Sequence, residues 1–458
     1  MSTIEADYLV VGAGAMGLAF TDTLVSESDA HVVVVDRNDQ PGGHWTTAYP
    51  FVRLHQPSAY YGVNSRNLGS DTIDQDGLNA GYYELASGAE VCAYFDAVMR
   101  QHLLPSGRVT YLPMSEYLGD GRIRTLAGED IQVTARRVVT SHVEIVVPSM
   151  RPPSYAVEAV DCVPPNELPR IHKARDRYVI VGAGKTAMDA CLWLLRHGVA
   201  AARLTWIKPR DAWILDRAAI QPGQQFAKQT LADFSGQLAA VHEAESLPDL
   251  FDRLEARGCL LRIDTNVDPT MYRCAILSQA ELEALRGIDD VVRMGHVQAI
   301  EPDRVTLDGG TLDIDRSALY IDCTADGFGR RDPTPVFSGD HISLQAVRTC
   351  QPAFSAAVIA HVEATYPDDD TRNAFCNPVP YPHEPTDWLR MMLTFNRNQL
   401  QWFSDPDMMA WVDAARLNVL HHVTAAVSER AREKIISVLT SQLPAINDKL
   451  EKLLVQTG

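Results

Sequence analysis

Tyr8-Leu9-Val10-Val11-Gly12-Ala13-Gly14-Ala15-Met16-Gly17 decides the fold, together with Asp36 at the end of the next apolar run, His31 to Val35. An apolar run of four residues before a glycine cluster predicts a buried strand. Leu18, Phe20 and Leu24 then follow a helical pattern. Strand, glycine turn, helix and second strand make a βαβ unit. Each glycine has its own task. Gly12 allows the tight turn out of the strand, Gly14 lets backbone approach a pyrophosphate, and Gly17 lets helix and strand pack closely. The helix N-terminus then faces the phosphates. Asp36 stands where a carboxylate accepts hydrogen bonds from ribose hydroxyls. The reading is a dinucleotide site.

The same organisation returns at Tyr178-Val179-Ile180-Val181 and Gly182-Ala183-Gly184-Lys185-Thr186-Ala187. A helix is predicted to about His197 and a strand near Leu204 to Ile207. Two such units imply an α/β fold with two Rossmann-like dinucleotide-binding domains. No acid closes the second unit; the chain there reads Ile207-Lys208-Pro209-Arg210. Lys208 and Arg210 would attract a 2′-phosphate that a carboxylate would repel, so NADP is expected over NAD. A solvated loop edge and a vestigial, non-binding domain stay open as alternatives. Gly184-Lys185-Thr186 imitates the end of a P-loop, but the glycine that motif needs five residues earlier is Val179. Lys185 and Thr186 are therefore expected at a helix start near the NADP pyrophosphate, with Gly182 and Gly184.

The chain has 458 residues, with 46% apolar and 22% charged residues and a formal net charge of −18. That is globular composition of multidomain length. The acidity argues against nucleic-acid and membrane-surface partners. The eight cysteines form no CxxC or zinc spacing, so a reduced, metal-free, cytoplasmic protein is expected. The first residues carry acids where a signal peptide needs cations. Short strands are expected at Val109–Leu112 and Arg136–Val139, with hairpin-like alternation from Gly121 to Val133. Ala212 to Arg257 reads as mostly helical, and Asp308-Gly309-Gly310-Thr311 as a tight turn. Met408, Val412, Ala415, Val419, Val423 and Val427 recur at helical spacing. The expected division is 1–170 for a first FAD part and 171–323 for an NADP domain. A second FAD part would follow at 324–370, then a helical C-terminal cap at 371–458.

Pro41-Gly42-Gly43-His44-Trp45 and Ala48-Tyr49-Pro50-Phe51-Val52-Arg53-Leu54-His55 follow Asp36. Here the sequence resembles flavoproteins with two dinucleotide-binding domains, especially the flavin-containing and Baeyer–Villiger monooxygenases. Those carry Gly-Gly-x-Trp after the acidic residue and Tyr-Pro-Gly-x-Arg-x-Asp at the second run. Phe51 and His55 replace the glycine and the aspartate. The resemblance implies that the first site holds FAD, through Gly12, Gly14, Gly17, Asp36, Arg37, Gly43, His44, Trp45 and Gln56. It also implies a return to the FAD domain at Cys323-Thr324-Ala325-Asp326-Gly327, with Asp326 near the cofactor. The segment from Gln351-Pro352 would aim a helix N-terminus at the flavin. The Phe-x-Gly-x-x-x-His fingerprint of those families is absent from 157–168, and Thr140-Ser141-His142 replaces their first Ala-Thr-Gly crossing.

By this resemblance the function is an NADPH-dependent FAD monooxygenase. It would oxygenate nitrogen, sulfur or carbon of a small organic substrate with molecular oxygen, through a C4a-peroxyflavin. Two other classes compete: an FAD-dependent NADPH oxidoreductase without oxygen insertion, and a non-catalytic dinucleotide-fold binding protein. His55, Arg53 and Asn64 are the candidate catalytic residues. His142 is a weaker pocket candidate, since a lone histidine is more often structural. Cys162 and Cys191 read as small core residues, and His421-His422 as a pair on a helix with no second ligand motif nearby. Trp388, Trp402, Phe403 and Trp411 form either core or a lid over an apolar substrate. A homo-oligomer is left open.

Overall fold

The computed structural model describes residues 2–142, 144–424 and 428–457, with the side chains of 422–424 left undescribed. The first motif builds the larger sheet. Ser2–Val11 runs parallel to Val32–Val35 on one side and to Asp130–Ser141 on the other. Val109–Leu112 extends the sheet beyond Val32–Val35, and His341–Leu344 pairs parallel with Asp130–Ser141. Parallel strands covered on both faces need apolar residues throughout, and Val32 to Val35 are all buried. Two helices cover one face together: Ala15–Glu27 and Pro352–Thr365, which pack against each other. The sheet is thus assembled from both ends of the first 344 residues.

Asp130–Ser141 is one strand of 12 residues, where the sequence suggested a hairpin arm and a separate short strand. Its outer half pairs with Ser2–Ala6, so the first strand also starts well before Tyr8. Exposed, polar outer halves of paired strands lack the apolar signal that the inner halves carry.

The second sheet has the order Val291–Val292, Leu204–Ile207, Tyr178–Val181, Leu319–Asp322, Asp161–Val163, with parallel pairing throughout. It recruits Asp161–Val163, ahead of the boundary expected at 171. Lys185–Arg196 is its first crossover helix. The stretch from Ala212 is not helical at its start: Ala212–Asp216 is a strand beside Met271–Leu277, and helices follow at Gln224–Glu243 and Leu247–Ala256. The turn at Asp308–Gly309 joins Arg304–Leu307 to Gly310–Asp313.

The C-terminal third is helical, as its spacing suggests, but interrupted. Pro406–Ala414 and Val419–Thr424 are separate helices. Asn418 sits in the break, accepting the Leu420 N–H and donating its side-chain amide to the Val412 carbonyl. Val427 lies outside the described residues, and Val423's side chain is likewise undescribed. Pro385–Phe403 and Glu429–Gln456 pack together and share an apolar core with Trp213, Leu250 and Phe251. The cap is therefore continuous with the 212–260 segment. Among the described residues, no helix is long and apolar enough to cross a membrane.

Candidate functional site

The first glycine turn is as tight as its sequence implies. Gly12 has φ +105°, and a Cβ on Gly17 would stand 2.0 Å from the Gly12 carbonyl oxygen. Asp36 is buried; one carboxylate oxygen accepts the Ala13 N–H at 2.6 Å, the other the Asn38 N–H at 2.8 Å. Gly42 N–H donates to the Ala13 carbonyl, and Gly43 lies against Gly14, where a Cβ would be 3.1 Å from the Gly14 Cα. The two glycine segments thus form one backbone surface. No side chain caps the helix starting at Ala15, and its first turn holds no acid. Its first N–H groups and its dipole are left available to an anion. These residues fit a dinucleotide pyrophosphate.

A cavity of about 930 Å³ begins at this surface. Its wall includes Gly12, Gly14, Gly17, Asp36 and Arg37, then Gly43, His44, Trp45, Arg53, His55 and Gln56. Lys185 enters the same wall from the second glycine turn. Tyr49 connects the two units: its hydroxyl donates to Asp189 Oδ2 at 2.6 Å, and Asp189 pairs with Lys185 through its other oxygen. Thr186 lies beside the Tyr49 hydroxyl. Trp45 donates its indole N–H to the Tyr61 hydroxyl at 2.7 Å, which fixes the Gly-Gly-x-Trp turn. Arg37 is exposed and pairs with Glu144.

His55 is the best-placed side chain of the candidate catalytic set. The Ile276 N–H donates to its Nδ1 at 3.2 Å. That bond puts the ring proton of the neutral form on Nε2, the nitrogen left for a cavity ligand. Burial, and then the charges of Lys185 and Arg217, push its pKa down to about 3. Arg217 is fully buried, pairs with Glu281 at 2.7 Å and donates to the His55 carbonyl at 3.1 Å. His55 is therefore a fixed hydrogen-bond donor at neutral pH rather than a base. Burial likewise lowers His44 to about 4. Arg53 borders the cavity but spends one guanidinium N–H on the Leu85 carbonyl.

Several expected residues lie elsewhere. Asn64 is outside the cavity wall and accepts the Leu417 N–H. Asp326 is exposed and pairs with Arg273 at 2.9 Å, while its neighbours Gly327 and Phe328 line the cavity. Gly182 carries φ +134° against the Cys323 carbonyl, and Gly184 has open space around it. Lys208 differs most from expectation. It is 2% exposed, pairs with Asp211 at 2.6 Å and stacks over Trp206, so its charge is used inside the domain. Arg293 holds the same Asp211. Arg210 is half-buried and has no ion-pair partner among the described residues. His142 bonds the Asp332 carbonyl, outside the cavity wall. Of the four C-terminal aromatics, Trp388 lines the cavity. Trp402 is buried and donates to the Phe375 carbonyl, and Trp411 stacks on His361 and donates to Glu27.

The sequence reading missed the far wall. Met271–Leu277 contributes Tyr272, Arg273 and Cys274; the loop before Pro352 contributes Arg348, Thr349 and Cys350. Cys274 and Cys350 form a disulfide across this wall, which corrects the expectation of reduced cysteines. They are 76 residues apart, and no spacing rule announces such a pair. Among the described residues, no group of three or more metal-ligating side chains is gathered.

Residues 10–65 match the family model described as an NAD(P)-binding Rossmann-like domain. The chain is 58% identical over 457 residues to the uncharacterized protein Rv2000 of Mycobacterium tuberculosis, covering 99% of this chain and 85% of that one. This chain belongs to the same family as that mycobacterial protein. A stretch of 92 residues, 20% of this chain, is 34% identical to a ferredoxin–NADP reductase of Salinispora tropica and spans 28% of it. Among solved structures, a cyclohexanone monooxygenase from Rhodococcus sp. Phi1 bound to NADP+ is similar at 15% identity and a TM-score of 0.47. That match covers 79% of this chain and 84% of the other.

Proposed function

We propose that the chain is an FAD-dependent NADPH oxidoreductase that acts as a monooxygenase on a small organic substrate. One observation carries the reading. A single cavity joins the first glycine turn, the Gly42-Gly43 turn, Lys185 of the second unit and the N-terminus of Pro352–Thr365. A two-electron carrier held by the first turn and a coenzyme held by the second would meet in that space. The short identity to a ferredoxin–NADP reductase supports NADP as the coenzyme.

FAD, reduced by NADPH, would supply the chemistry that activates oxygen. The chain's own residues bind and orient. The uncapped N-terminus at Ala15 and the backbone at Gly14 and Gly43 receive the pyrophosphate, and Asp36 borders the ribose. Trp45 and Tyr61 fix the turn beyond it. His55 Nε2–H offers a hydrogen bond to a ring oxygen or to substrate, with Arg217 holding its carbonyl. Arg210 is the cation for the coenzyme 2′-phosphate, and Lys185, held by Asp189, stands at the second glycine turn. Trp388, Met391 and Phe395 from the cap exclude water.

Purified protein is expected to be yellow and to release FAD on denaturation. NADPH should bleach it without air. Admitting oxygen with substrate should return the oxidised spectrum and an oxygenated product. A protein that takes up no FAD refutes the cofactor assignment. Stoichiometric hydrogen peroxide with every substrate offered would point instead to an oxidoreductase without oxygen insertion.

A further inference from the structure

Among the described residues, one cation in the cavity wall has no anion. Arg348 lies in the loop between His341–Leu344 and Pro352–Thr365 and is 6% exposed. Its guanidinium carbon stands 5.5 Å from the centre of the Phe354 ring and 5.0 Å from that of Phe395. Among the described residues it has no carboxylate within ion-pair distance and no hydrogen-bond acceptor for its guanidinium. The other cations of the wall are committed: Arg37 to Glu144, Lys185 to Asp189, Arg273 to Asp326, and Arg53 to a carbonyl. A buried charge without a partner is costly, and a guanidinium offers five N–H donors in a fixed fork. Burial lowers its pKa to about 10, so it stays charged at neutral pH.

The position is also rigid. The Val347 and Arg348 N–H groups both donate to Ser355 Oγ at 3.2 Å, and that hydroxyl donates to the Gln351 carbonyl at 2.8 Å. The 14-residue helix that begins at Pro352 has no side-chain cap, and Thr349 to Pro352 line the cavity. Its dipole adds attraction for negative charge. The reduced flavin ring is one such charge. The guanidinium lies between Phe354, on the helix Pro352–Thr365 of the dinucleotide-binding unit, and Phe395, on the cap helix Pro385–Phe403, so it also meets the cap. The neighbouring wall there is apolar: Trp388, Met391, Met392 and Phe395.

We propose that the substrate is an apolar carboxylic acid, its carboxylate held by the Arg348 fork and its body lying against Trp388, Met391, Met392 and Phe395. The proposal rests on the reading that FAD occupies the glycine-turn end of the same cavity. It adds a substrate class to that reading.

The test uses two acid–amide pairs, benzoate with benzamide and hexanoate with hexanamide. Each is titrated into FAD-loaded protein, followed by flavin absorbance, and into FAD-free protein, followed by tryptophan fluorescence. At least one acid should bind about ten- to a hundredfold more tightly than its amide, the range of a charge-assisted hydrogen-bonded contact. Arg348→Met should abolish that preference, and Arg348→Lys should keep part of it. Equal binding of acid and amide overturns the proposal. So does failure of all four probes to bind up to tens of millimolar, or unchanged acid binding in Arg348→Met. Should Arg348→Met not fold, the wild-type acid–amide comparison and Arg348→Lys still decide. Arg348→Met that leaves acid binding intact but shifts the flavin reduction potential would assign the cation to the reduced ring and overturn the proposal. Acid preference in a protein that never takes up FAD would sustain Arg348's role while refuting the cofactor assignment.

Discussion

Gly17→Ala sets two effects of known size against each other. Alanine in a helix gains about 0.5–1 kcal/mol over glycine from backbone entropy alone. Here its Cβ would stand 2.0 Å from the Gly12 carbonyl oxygen and 3.3 Å from Val10 Cγ1. The Gly12 oxygen belongs to backbone in the tight turn and cannot swing aside. Helix and turn must separate by about 1.4 Å to reach ordinary contact at 3.4 Å. Overpacking of this kind costs about 1–3 kcal/mol, which outweighs the propensity gain. The larger effect falls on the cofactor. N–H donors moved by that distance leave hydrogen-bond range, and a charge-assisted bond contributes about 1.5–3 kcal/mol. FAD affinity should therefore fall about ten- to a hundredfold. Gly184→Ala is the matched control, because a Cβ there meets nothing within 4 Å and its φ is −84°. Flavin fluorescence quenching on FAD titration gives both dissociation constants, and thermal melts of the FAD-free proteins give the stability change. A Gly17→Ala protein that binds FAD as tightly as wild type, with a raised melting temperature, would refute the close-packing argument.

Arg210→Ala should raise the Michaelis constant for NADPH and leave that for NADH nearly unchanged in steady-state assays. Lys208→Met should instead lower the melting temperature, because it removes one partner of the buried Asp211 contact, at up to about 3 kcal/mol with Arg293 still in place. His55→Gln should keep FAD bound but increase the hydrogen peroxide formed per NADPH consumed. The wild-type ratio should show no histidine titration between pH 5 and 8, because the His55 pKa is held near 3. The same depression has a sign for stability. The unfolded chain binds that proton more tightly, so His55 opposes folding increasingly as pH falls from about 6.5 towards 3, and the variant should lose less stability over that window in pH-dependent denaturant titrations. Cys274→Ala, or reduction with dithiothreitol, should destabilise the fold by about 2–5 kcal/mol, since the bridge closes a long loop; an unchanged denaturation midpoint would contradict it.

What was legible in the sequence is what one short segment can encode. Gly12, Gly14, Gly17 and Asp36 lie within 25 residues, and each is required by backbone geometry that only a few residue types satisfy. The strand, turn and helix around them were readable for that reason, and so was the repeat at Tyr178. Lys208 shows the limit. Its place at a strand end was right, but a lysine's partner is a matter of three dimensions. Asp211 and Arg293 turned it inward. Residue type and spacing alone do not distinguish a cation waiting for phosphate from one neutralised three residues later. Asn64 is similar, because the cap supplies its partner, Leu417, from 353 residues away. Arg348 and the Cys274–Cys350 bridge had no local signal at all. They belong to the wall where the loop before Pro352, the strand Met271–Leu277 and the cap helix converge. Cofactor recognition rests on short motifs and is written locally. The half of the cavity that the carboxylate proposal gives to substrate is built from distant segments, so its chemistry becomes readable only when, among the described residues, one buried guanidinium is found there without an anion.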